Sequence, residues 1–137
     1  MWWSIRKLSE AESAVVERAE KMGLGEWNVI EQRGTYLCHG TLLTLEACTD
    51  KGTGFRLECY DDEHGARYTL IARTPNGSGV SLTHEGRSDA DKDQRVPRVA
   101  ALYGRVAAHF EPILRREKTE RQRREREDND EDVLRHL

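Results

Sequence analysis

Between Thr35 and Glu85 apolar and polar residues alternate, and glycine-bearing turns punctuate the alternation. A period of two sends successive side chains to opposite faces of a strand. Short turns between such runs require antiparallel pairing. After Asp50-Lys51-Gly52-Thr53-Gly54, the residues Phe55, Leu57 and Cys59 share one face and Arg56, Glu58 and Tyr60 the other. Asp61 to Gly65 turns the chain. Ala66, Tyr68, Leu70 and Ala72 then point inward, and Arg67, Thr69, Ile71 and Arg73 outward. In Thr74-Pro75-Asn76-Gly77-Ser78, proline presets a type I turn and Gly77 supplies the positive φ of a bulge. Closing that loop pairs Ala72 with Val80, Leu70 with Leu82 and Tyr68 with His84, so every inward residue stays inward. Earlier in the chain, Trp27 to Glu31 reads as a short strand. Tyr36 to Ala47 reads as a long one, with Gly40 marking a bulge.

Helices flank this sheet. Ser9-Glu10-Ala11-Glu12 is a capping box, and Ala11, Val15, Ala19 and Met22 recur at helical spacing behind it. The pattern predicts a helix over Glu10 to Met22, ended by a left-handed Gly23. Pro97 suits a first helical turn, and Val96, Val99, Tyr103, Val106, Phe110 and Ile113 form a stripe that covers one sheet face. Pro112 predicts a kink near His109. The fold class is therefore α+β: a short N-terminal helix, an antiparallel meander of four or five strands, and a long C-terminal helix on one face. Residues 1–114 read as a single domain. Residues 115–137 read as a charged helical extension with a disordered acidic end. There, Arg115 to Arg126 holds seven basic residues against three acidic ones, and Glu127 to Asp132 adds five acids.

A chain of 137 residues fits one domain. Net charge is −3 and the pI is about 6.0, so no whole-molecule basic field draws in nucleic acid. Met1 to Leu8 lacks the apolar core of a secretory signal. No apolar run approaches the roughly 18–20 residues that span a bilayer. Three irregularly spaced cysteines argue for a reducing compartment, and the expected location is cytoplasmic. Cys38, His39, Cys48, Cys59 and His64 are zinc-ligand types, but they lack the close pairs that present two thiolates to one tetrahedral centre. Cys48 and Cys59 also face opposite ways, so no metal and no cofactor is expected. His109 and His136 show no partner pattern.

The outward sheet face carries the functional expectation. Strand pairing lays Tyr60 beside Arg67 and Arg67 beside Glu85. The next rows are Glu58, Thr69, Thr83 and Arg56, Ile71, Ser81, with Arg73 at the edge. A carboxylate and arginines on an antiparallel sheet resemble, in architecture, metal-independent microbial ribonucleases. That resemblance implies Glu as base and Arg as phosphate clamp, with His as acid; here His84 falls on the opposite face and His64 in a turn. A meander followed by a helix is also similar to whirly-type and coactivator-type single-strand binders, although Tyr60 is the lone outward aromatic. The Arg115–Arg126 run could contact phosphates, yet helically spaced glutamates neutralise it. The reading is a small non-enzymatic regulator or inhibitor that contacts a protein partner. It uses Arg56, Tyr60, Arg67, Arg73 and Glu85, with the Trp2/Trp3 arm and the charged helix. Single-stranded nucleic-acid binding is the alternative and ribonuclease-like hydrolysis the second. A homodimer stays open, and no membrane partner is expected.

Overall fold

The computed structural model describes residues 5–34, 41–62 and 65–137, without the side chains of 31–34, 41–42 and 61–62. Trp2, Trp3, Cys38, His39, Gly40 and His64 lie outside the described residues. The architecture is α+β. Helix α1 (Glu10–Lys21) precedes five strands: β1 (Asn28–Gly34), β2 (Thr41–Cys48), β3 (Gly54–Asp62), β4 (Gly65–Arg73) and β5 (Gly79–Glu85). Helix α2 (Pro97–Arg135) follows. The strands pair in chain order, each antiparallel to the next.

Local chemistry accounts for most of these boundaries. The capping box forms: Ser9 Oγ accepts from the Glu12 N–H at 3.1 Å, and the Ser9 N–H donates to Glu12 Oε1 at 2.9 Å. The β4–β5 turn closes with Gly77 at φ 89° and the Thr74 N–H donating to the Ser78 carbonyl at 2.8 Å. Its register pairs Ala72 with Val80, Leu70 with Leu82 and Tyr68 with His84, as the alternation predicts.

The core lies on one face of the sheet. Leu45, Leu57, Leu70 and Leu82 are fully buried there, together with Val16 and Ala19 of α1 and Val99 and Val106 of α2. Trp27 packs by Phe55, with ring centroids 6.4 Å apart, and Tyr68 by Tyr103 at 5.4 Å. The Tyr103 hydroxyl accepts from the Leu43 N–H at 2.9 Å, which satisfies a buried backbone donor from the helix side.

Several expectations need correction. Gly23 has φ −66° and not a left-handed conformation. The chain leaves α1 extended because Leu24–Glu26 forms a 3₁₀ turn, with the Gly23 N–H donating to Glu26 Oε2 at 2.6 Å. Of the expected α1 stripe, Ala19 and Met22 are buried, but Val16 is buried in place of the half-buried Val15, and Ala11 is exposed. Trp27 caps the 3₁₀ turn and β1 starts one residue later. A bulge falls in β1, between Val29 and Glu31.

On α2 the buried set is Val99, Leu102, Tyr103, Val106 and Ala107, while Ile113 is 42% exposed. The chain divides into two compact units, Met1–Ala107 and Ala108–Leu137. The helix continues through Pro112. The acidic block Glu127 to Asp132, expected to be disordered, is helical. Its carboxylates find partners one turn away, as in Arg135–Glu131 at 3.0 Å and Arg123–Glu127 at 4.0 Å.

Candidate interaction face

The sheet's second face carries the sequence-derived residues in two groups. Toward the β1 side, Glu46 stands opposite Arg56 in the β2–β3 ladder, and Arg56 Nη2 lies 3.2 Å from Glu46 Oε1. Around this pair a concavity of about 600 Å³ is lined by Ile30, Cys48, Ile71 and Arg73, among others. The β1 bulge explains Ile30: a residue inserted between paired neighbours is turned out of the ladder, and Ile30 is 46% exposed. Arg73 makes no ion pair among the described residues.

The second group sits at the other end of β4. The ladders place Tyr60 beside Arg67 and Arg67 beside Glu85. Tyr60 is 62% exposed, whereas Glu85 is only 4% exposed. Among the described residues Glu85 is the buried charged side chain. Burying a carboxylate costs several kcal/mol unless charges and donors compensate it. Arg67 Nε lies 3.0 Å from Glu85 Oε2, and Arg87 Nε lies 3.5 Å from Glu85 Oε1. Two guanidinium groups thus flank one carboxylate.

Two glycines make that approach feasible. The Gly86 N–H donates to the Ala66 carbonyl at 2.7 Å, and a Cβ at Gly86 would stand 2.7 Å from that same oxygen. Gly65, at φ 134°, holds a backbone conformation that residues with a side chain rarely adopt, and the Arg87 stem lies against it, its Cγ 3.5 Å from where a Cβ would stand. Arg95 then ties down the segment carrying Arg87. Its Nη2 donates to the Arg87 and Ser88 carbonyls at 2.9 and 2.8 Å, and its Nε to the Ala90 carbonyl at 3.1 Å.

Arg56, Tyr60, Arg67, Arg73 and Glu85 therefore share one face, in two clusters, while Trp2 and Trp3 fall outside the described residues. Arg87, Glu46 and Ile30 were missed by sequence reasoning. Parity alone pointed to Arg87, since it lies two residues beyond Glu85. His84 occupies the opposite face beside Tyr68, with ring centroids 6.3 Å apart. Its Nδ1 is buried without a hydrogen-bond partner, and burial, aided by the Arg95 charge and opposed by Glu85, lowers its pKa.

Cys48 is exposed and Cys59 half-buried. Among the described residues no group of three or more His, Cys, Asp or Glu side chains is placed to hold a metal ion. Likewise, no helix there is long and apolar enough to cross a membrane. Compared with protein-family models, curated proteins and solved structures, the chain matches none.

Proposed function

We propose that this protein works without catalysis, as a regulator or inhibitor that binds a protein partner across the outward sheet face. The observation that carries the reading is the pairing of exposed Ile30 and Tyr60 with arginines on a face that holds an open concavity of about 600 Å³. Aromatic residues and arginine are enriched at protein interfaces, and a few such anchors dominate binding energy. The ion pairs Arg56–Glu46 and Arg67–Glu85 hold two arginine side chains in place before any partner arrives, which reduces the ordering cost of association.

Single-stranded nucleic acid is the competing ligand, favoured by the arginines around Tyr60. Affinity purification from the native cell, with and without nuclease, separates the two. A stoichiometric protein partner that survives nuclease and tolerates high salt is expected. Loss of the partner on nuclease treatment, or a steep fall of affinity with salt, would transfer the face to nucleic acid.

A further inference from the structure

The Arg67–Glu85–Arg87 cluster has more donors than its own carboxylate uses. Both guanidinium groups approach Glu85 through Nε, and their Nη ends make no hydrogen bond among the described residues. Those side chains are 54% and 40% exposed, over a carboxyl side chain only 5% exposed. Between them, Tyr60 and Gly65 line a small concavity of about 80 Å³. A cavity of that size admits one small group.

We infer that this concavity is a receptor for a carboxylate, supplied by an Asp or Glu side chain of the protein partner. The assignment rests on the protein-binding reading above and specifies the partner's chemistry at this end of the face. Among the described side chains of the cluster, two arginines and one glutamate leave a single positive charge, which a monoanion neutralises. A dianion would leave a negative excess beside the buried Glu85. A carboxylate is also planar and accepts two parallel bonds from a guanidinium fork. Glu85 acts as a positioning residue: it accepts from Arg67 Nε and pairs with Arg87, whose Nε at 3.5 Å is left without a hydrogen-bond partner, and both arginines line the concavity. Gly65 and Gly86 allow that arrangement, and Arg95 keeps the backbone of Arg87 from drifting. Tyr60 flanks the site with an exposed ring, against which the aliphatic stem of an incoming side chain packs.

The test needs no partner. Sodium acetate is titrated into the isotopically labelled full chain against sodium chloride at constant ionic strength, and the arginine Nε–H resonances are followed. The expected result is saturable shifts at Arg67 and Arg87, with a dissociation constant on the order of 10 mM for so small a ligand. Arg67→Gln and Arg87→Gln should each weaken binding at least about fivefold, because each removes a charge-assisted fork. Arg73→Gln, at the other end of the face, should change nothing. If a glutamine variant fails to fold, Arg87→Lys keeps the charge, loses the fork, and should still weaken acetate.

Linear shifts without saturation, equal shifts with chloride, or equal loss in Arg73→Gln would overturn the site. Tighter binding of dianionic inorganic phosphate than of acetate would overturn the carboxylate assignment. A failed acetate titration leaves the protein-binding reading of the wider face intact. A failed partner purification leaves a saturable acetate site intact.

Discussion

His84 and Glu85 are chain neighbours with opposite surroundings, because a strand sends successive side chains to opposite faces. Glu85, at low exposure, has two arginines against it. His84 has no such help: burial and the Arg95 charge both favour its neutral form, and its folded pKa is lowered. The unfolded chain then binds the proton more readily than the fold does. Stability from this group is complete above the ordinary imidazole value of 6.5 and falls as pH drops through it toward the lowered folded value. His84→Gln should therefore lose less stability than the parent between about pH 7.5 and about pH 5.5. Urea midpoints at both pH values measure this, and parallel losses in the two proteins would move the acid sensitivity elsewhere. Gly86 makes a steric prediction. An alanine methyl would meet the Ala66 oxygen at 2.7 Å, so Gly86→Ala should cost about 1–3 kcal/mol and displace Arg87. An unchanged denaturation midpoint would mean that the segment relaxes at no cost.

At the level of elements, legibility followed the number of independent signals. The β4–β5 hairpin was readable because proline, glycine and the alternation on both strands demanded one register. The start of α1 was readable from the capping box alone. Ser9→Ala should cost about 1 kcal/mol, since it leaves the Glu12 N–H without its hydroxyl acceptor. The Ser9 N–H also lowers the Glu12 pKa, with Arg6 assisting and burial opposing. The Glu12 contribution is therefore present above the ordinary carboxylate value and is lost as pH falls through the lowered one. Thermal unfolding of Ser9→Ala measures the cap, and an unaltered midpoint would show that water serves the end of the helix equally well.

The end of α1 was misread because glycine after a helix signals a left-handed cap only when nothing better competes. Here Glu26, three residues on, captures the Gly23 N–H. On the α1 face Ala19 and Met22 were legible, whereas Val15 was read in place of Val16, because the two are adjacent and the choice between them belongs to the sheet beneath. The two clusters of the outward face were legible in part. Tyr60, Arg67 and Glu85 followed from register, but Ile30 depended on a bulge, and Arg87 on a backbone path that two glycines permit.

On the scale of the whole chain, the hydrophobic core and the charge segregate along the sequence. Every buried apolar side chain among the described residues lies between Val16 and Ala107. Beyond that point the helical segment relies on ion pairs such as Glu120–Arg123 at 3.0 Å and Glu120–Arg124 at 3.5 Å. Exposed pairs of this kind contribute roughly 0.2–0.5 kcal/mol each, enough to favour helix locally but little beside a buried core. The acidic block has its own pairs one turn away, Arg123–Glu127 and Arg135–Glu131, which composition does not record.

Ending the chain after Leu114 should then leave cooperative unfolding intact, because it removes solvated ion pairs and no core side chain. The expected change in melting temperature is within about 4–8 °C, the shift that corresponds to about 1 kcal/mol in a domain of this size. Circular dichroism should report a loss of helix equal to the residues removed and no more. A larger fall in melting temperature, or a broad non-cooperative transition, would place stabilising contacts beyond Leu114. Partner binding by the shortened chain carries a second outcome. Retained affinity would confine the interface to the sheet face. A lost partner with intact folding would give the charged helix a share in recognition.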